Sequence, residues 1–235
     1  MIQHVTSPTI TGGATIGLKY NGGVLLASDT QLVYGGYLME KNQSRTYQIS
    51  DNCAMVSSGE YADFTEVCKL LKHKRDADLI ADDGFQFLEP QDYCTWLARM
   101  QYQKRNKMKP FYNNHIVGGV DSKGEVFLGN VDIHGNTFQN NDYLVNGMAH
   151  YFCNVLLTNA GKAEDLSEAD ARKVLENCFT TMFMRDKTCS QYIQITKVTT
   201  EGVEIGEAQK VDSHWDHKNF KEYTNEHARD IRFYM

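Results

Sequence analysis

Residues 11–29 read T-G-G-A-T-I-G-L-K-Y-N-G-G-V-L-L-A-S-D, and the fold is decided there. Within residues 14–27, two short apolar stretches flank Asn21-Gly22-Gly23, the turn signal of a tight β-hairpin. In the second arm Val24, Leu25 and Leu26 form an unbroken apolar run, the composition of a strand covered on both faces. A sheet with material packed on each side is implied before any other segment is read.

Outward from the hairpin the period changes. Phe64, Val67, Cys68 and Leu71 recur at helical spacing, and so do Trp96, Leu97 and Met100 after Pro90, whose fixed φ suits a first helical turn. Residues 116–120 and 126–131 pair as a second hairpin across Asp121-Ser122-Lys123-Gly124. Ser167, with Asp170 three residues on, opens a helix in the manner of a capping box. Ala171, Val174, Leu175, Cys178, Phe179, Met182 and Phe183 then continue it as one apolar stripe. Residues 192–198 and 203–205 read as closing strands. Strands, two helices, strands, two helices and strands predict layered α+β packing instead of βαβ alternation.

Composition narrows the function classes. The 235 residues contain no proline-rich or low-complexity linker and suffice for one domain with a substantial core. A net charge of −6 without a basic block argues against nucleic acid or an anionic membrane surface as the main partner. No apolar run approaches the roughly 20 residues that span a bilayer. The N-terminus has no charged region followed by an apolar core, so a soluble intracellular protein is expected. The six cysteines never occur as C-x-x-C, and several sit on apolar helical faces, the pattern of structural free thiols.

Other motifs carry little chemistry. The pairs Gly12-Gly13, Gly22-Gly23, Gly35-Gly36 and Gly118-Gly119 lack the following Lys-Ser/Thr of a phosphate loop and read as turns or close-packing sites. His214-Trp215-Asp216-His217 offers metal-ligating types without identifiable further ligands, so neither a metal nor a cofactor is expected. Lys104, Arg105, Lys107 and Lys109 read as a solvated helix end whose cations complement the dipole.

Landmarks in the same order and spacing run along nearly the whole chain. They are the opening strand pair, S-S-G-E-Y-A-D-F, V-G-G-V-D-S-K-G-E-V-F-L-G, N-G-M-A and F-M-R-D. On these the chain resembles the β subunits of the proteasome. Gly59, Ala62 and Asp63 keep the outline of the family's entry into its first helix. G-E-Y-A-D-F, W-L-A-R-M-Q-Y-Q-K-R-N-K-M-K-P, F-L-G-N-V-D and a W-D in the tail are most similar to the non-catalytic beta type-4 branch. The resemblance implies a four-layer αββα sandwich of the N-terminal nucleophile hydrolase type.

It also implies where catalytic residues would stand, and there this chain departs. Active members carry a self-exposed threonine six residues before a lysine, and six before Lys19 stands Gly13. Such a protease draws nucleophile and base from one residue, and glycine has no hydroxyl. The sequence holds no Gly-Thr bond at which the family cleaves itself. The family's catalytic lysine falls on Arg45, whose guanidinium stays protonated and cannot relay a proton. Asp29 and Asp186 read as structural survivals, while Met148, Cys189 and Ser190 replace the family's serine, serine and glycine. No catalytic residue is therefore assigned. The rival reading, an active hydrolase, would use Thr11, Thr15 or Cys189; Thr11 and Thr15 lie eight and four residues from Lys19, and Cys189 has no histidine close in sequence.

The resemblance implies three segments: an N-terminal extension (1–12), a β-type domain (13–212) and a C-terminal arm (213–235). It further implies a structural role in ATP- and ubiquitin-dependent protein degradation by neighbouring threonine protease subunits, in cytoplasm and nucleus. The implied partners are β subunits of the same and the opposite ring and α subunits, in a hetero-oligomer of 28 subunits, with no nucleic acid and no membrane. The arm carries Trp215, Phe220, Tyr223, Phe233 and Tyr234, anchors of the kind that fill partner pockets. Extended at about 3.3 Å per residue it would reach roughly 75 Å. In the beta type-4 family the corresponding tail clasps the opposite ring.

Overall fold

The computed structural model describes residue 8, residues 10–81 and residues 88–212. Its strands are β1 (Ile10–Gly12), β2 (Thr15–Tyr20), β3 (Gly23–Asp29), β4 (Leu32–Tyr34), β5 (Tyr37–Glu40), β6 (Thr46–Ser50), β7 (Cys53–Glu60), β8 (Asn113–Val120), β9 (Val126–Val131), β10 (Thr137–Gln139), β11 (Tyr143–Asn146), β12 (Tyr192–Thr199), β13 (Gly202–Ile205) and β14 (Gln209–Lys210). The helices are α1 (Tyr61–Ala81), α2 (Pro90–Asn106), α3 (Ala149–Asn159) and α4 (Glu168–Arg185). One sheet runs β10-β9-β8-β7-β1-β4-β5 with β6 also on β7, and the other runs β11-β2-β3-β12-β13 with β14 on β12.

The opening hairpin forms as its sequence requires. β2 and β3 pair antiparallel from Thr15 opposite Ser28 to Tyr20 opposite Gly23. The two-residue turn between them places Gly22 at φ 113°, a conformation glycine adopts without a Cβ clash. All seven residues of β3 are buried, and the alternation along it divides the molecule into layers. Leu25 and Ala27 pack with Leu157 of α3 and with Leu175, Phe179 and Met182 of α4. Val24 and Leu26 point the other way, into a core between the sheets with Val56, Ile116 and Leu128. A third core joins the far face of the first sheet, through Met55, Val117 and Val131, to Phe64, Val67 and Leu71 of α1 and Leu97 of α2. Three successive cores define four layers, helices on sheet on sheet on helices, the αββα sandwich that the resemblance implied.

Local signals set the helix starts. Pro90 opens α2, with Glu89 and Asp92 forming a reciprocal capping box. Ser167 caps α4 by accepting the Asp170 N–H at 3.2 Å. The stripe on α4 buries Ala171, Leu175, Cys178, Phe179 and Met182, while Val174 is only partly buried. Between the sheets Gly17 is a close-approach site, where a Cβ would stand 2.7 Å from Leu128 and 2.8 Å from Ile116.

A polar cluster is enclosed between α2 and the first sheet. Gln101 donates through Nε2 to the Asn113 carbonyl at 3.1 Å and lies 3.3 Å from Nε2 of His115. Asn113 donates to the carbonyls of Ser58 and Glu60. His115 is fully buried, and burial pushes its pKa down to about 3. An unfolded chain protonates this ring near pH 6.5, so the unfolded state takes up the extra proton as the pH falls from 6.5 towards 3. Stability from this group, fully present above pH 6.5, is lost at about 1.4 kcal/mol per pH unit in that window. Urea unfolding between pH 6.5 and 5 should show the parent chain losing about 2 kcal/mol more than His115→Gln; equal losses would contradict the assignment.

Candidate functional site

β1 brings the chain to position 13. This short strand lies between β4 and β7, with Ile10 opposite Tyr34, Thr11 opposite Val33 and Glu60, and Gly12 opposite Gly59. Residues 10–12 are thus woven into the first sheet, and the peptide before Gly13 continues directly from a paired strand. Around Gly13 the folded chain gathers residues far apart in sequence. A Cβ built there would lie 3.8 Å from Thr188 Oγ1, 3.9 Å from Asp29 Oδ1 and 4.0 Å from Asp186 Oδ2. Position 13 therefore faces both acidic residues and has room for a side chain, yet carries none.

Asp29, Arg45 and Asp186 each have at least one oxygen or nitrogen held by a hydrogen bond, while Asp29 Oδ2 and Arg45 Nε are buried without one among the described residues. Asp29 ends β3 completely buried, and its Oδ1 accepts the Ala14 N–H at 3.1 Å. Burial pushes its carboxyl pKa up, while Arg45 and the Ala14 N–H pull it back. Arg45 immediately precedes β6 and is 2% exposed, with Nη2 donating to the Gln31 carbonyl at 3.0 Å. Burial lowers its pKa and Asp29 opposes that change; starting above 12, a guanidinium remains a fixed cation. Asp186 caps α4 and accepts from the N–H and hydroxyl of Thr188 at 2.9 and 2.8 Å.

Arg45 also accounts for Gly12. A Cβ on Gly12 would fall 1.0 Å from Arg45 Nη2, so the guanidinium lies directly against that glycine. Gly147, at φ 70°, makes the opposing approach: its Cβ would stand 1.8 Å from the Gly13 carbonyl oxygen. Met148, following it, is largely solvent-facing.

The rival nucleophiles are not equipped. Thr15 is fully buried on β2 with Oγ1 unpartnered among the described residues, on the strand face that meets the other sheet. Thr11 is held in two ladders within β1. Cys189 is buried, and burial together with Asp29 and Asp186 raises its thiol pKa well above the ordinary value, the opposite of activation. Lys19 sits at the turn end of β2, where burial lowers its pKa against the attraction of Asp142. Among the described residues no three His, Cys, Asp or Glu side chains gather as a metal site; His214 and His217 lie outside them. All six cysteines are free thiols.

Sequence reasoning missed Thr188, Gln31 and the contact between Gly12 and Arg45. The Gly-Gly pair at 12–13 was the available signal, but only the folded chain shows that its first member is a close-packing site against a cation. A cavity of about 430 Å³ lined by Arg75, Leu79, Leu88 and Tyr93 contains none of the residues around position 13.

Comparison with known proteins points to a single family. A family model described as "Proteasome subunit" matches residues 9–198. The chain is 33% identical to proteasome subunit beta type-4 of Arabidopsis thaliana over 218 residues, 93% of this chain and 87% of that protein. It is 31% identical to the beta type-4 subunit of Drosophila melanogaster, covering 86% and 76% of the two chains. With the Xenopus laevis beta type-4 subunit the identity is 29%, over 92% and 88%.

The adjacent glycines should respond in opposite ways. Gly13→Ala meets its neighbours at ordinary van der Waals distance and should shift stability by less than about 0.5 kcal/mol. Gly12→Ala must displace a buried guanidinium and should destabilise by about 1–3 kcal/mol. Chemical denaturation of both variants checks this; equal effects would contradict the packing.

Proposed function

Since the chain belongs to the proteasome subunit family, we propose that it serves as a non-catalytic, structural β subunit of the proteasome core, its proteolytic position closed by Gly13 and Arg45. The observation that carries this reading is the cluster around position 13. The carboxylates and the backbone of a threonine protease site are present, but no hydroxyl stands at position 13 and an obligate cation occupies the proton-relaying place. What such a cluster retains is cohesion. It ties the end of β3 to the chain after β1 through Asp29 and Ala14, ties the segment before β6 to Gln31 through Arg45, and closes the end of α4 through Asp186 and Thr188.

On this reading the chain assembles with other proteasome subunits and supports proteolysis that its neighbours perform. It occupies the β ring of a 28-subunit particle of stacked α-β-β-α rings, in cytoplasm and nucleus. Residues 213–235, outside the described residues, act as an arm to the opposite ring. Aromatic anchors amid balanced charges support that role.

Native mass spectrometry of the endogenous chain tests the reading. The expected result is a 28-subunit particle from which dissociation releases this chain with residues before Gly13 still attached. Recovery as a free monomer, or cut to expose Thr11 or Thr15, would reject it. Deleting residues 215–235 should lower the yield of two-ring particles while half-particles accumulate, as read by native gel; an unchanged yield would remove the arm's role. The Gly13→Thr chain should show no peptide hydrolysis of its own, because Arg45 and the preceding peptide bond remain.

A further inference from the structure

The end of α2 carries an exposed apolar tip on a strained backbone, ringed by cations. The Lys109 N–H donates to the Lys104 carbonyl and the Met108 N–H to the Arg105 carbonyl, each at 3.0 Å. This paired closure puts the residue between them in the left-handed region, where glycine is the usual occupant. Here it is Met108, at φ 55°. A side chain is unfavourable in that conformation because its Cβ crowds the backbone. Internal packing does not compensate, since Met108 is 84% exposed.

Two of the charges next to Met108, Lys107 and Lys109, are equally unaccounted for. Lys104, Lys107 and Lys109 surround a shallow concavity of about 280 Å³ with Met100 and Gln103 beneath, and Arg105 is exposed beside it. Lys104 lies 4.5 Å from the centre of the Phe111 ring. Among the described residues Arg105, Lys107 and Lys109 form no ion pair. The helix dipole favours cations in the last turn, where Lys104 and Arg105 stand. Lys107 and Lys109 belong to the closing turn beyond it. In a chain of net charge −6, such a cluster selects an acidic partner by complementarity. The thioether at its tip adds a soft contact suited to apolar side chains.

We propose that this apolar-tipped basic knob, residues 104–109, docks onto an acidic segment bearing an apolar side chain on a neighbouring subunit; the inference rests on the chain being a proteasome subunit. Nucleic acid would satisfy the cations but would set the methionine against phosphate. An acidic polypeptide satisfies both.

The test is made in the assembled particle. A full-length chain with a photo-crosslinking amino acid in place of Met108 is expressed in cells, and particles are isolated through a tag on a different subunit and irradiated. The expected adduct joins position 108 to a stretch containing Asp or Glu in another proteasome subunit. Its yield should fall about tenfold in the K107E/K109E background. Met108→Gly, which relaxes the turn, should fold at least as stably as the parent yet dissociate from the particle at lower salt. If the chain is in the particle but position 108 gives no adduct, or one with RNA or a non-acidic surface, the knob is refuted and the subunit reading stands. The same holds if Met108→Gly is retained like the parent. If the chain is absent from the particle, the subunit reading itself fails and takes the knob with it.

Discussion

The buried guanidinium of Arg45, packed against Gly12, constrains the chain around position 13. Neither it nor the carboxylate of Asp29 has access to water, so each leans on a backbone group, the Gln31 carbonyl for the arginine and the Ala14 N–H for the aspartate, while the two attract each other without forming a direct ion pair. The guanidinium is also broad and planar, and it needs the face of Gly12 to lie against. That contact limits position 12 to glycine, and β1 must cross the sheet there without a side chain.

A site that has lost its chemistry keeps its architecture for this reason. Asp29 accepts the Ala14 N–H, and Asp186 ends α4 and holds Thr188. Both carboxylates are employed by the fold, independently of any reaction. The same economy applies to the thiols. Burial, helped by the charges of Asp29 and Asp186, keeps Cys189 protonated, so the thiol is inert.

The layers give the molecule two kinds of surface. Three cores consume the inward faces of both sheets and of the four helices, leaving the closing turn of α2 to project outward. Packing inside the chain does not choose the residues of that turn, so an exposed methionine in a left-handed conformation among unpaired cations reflects something outside the chain. A subunit without chemistry of its own contributes through such surfaces.

Much of this was legible in the sequence. Asn21-Gly22-Gly23 specified the first hairpin because few residues tolerate its turn. The run Val24-Leu25-Leu26 announced a strand covered twice, and Ser167 and Pro90 marked helix starts because capping is local chemistry. The absence of a hydroxyl at Gly13 could be read from spacing to Lys19 once the likeness was recognised. Which residues converge on position 13 was decided only by the tertiary structure. Asp29 reaches position 13 through the register of the first hairpin, but Thr188 lies far away along the chain and no local period encodes its arrival. That Gly12 is a packing site against Arg45, and Met108 a strained exposed tip, likewise depended on the folded backbone. Sequence patterns report what each segment prefers by itself, whereas close approach arises only when segments distant in the chain are brought together.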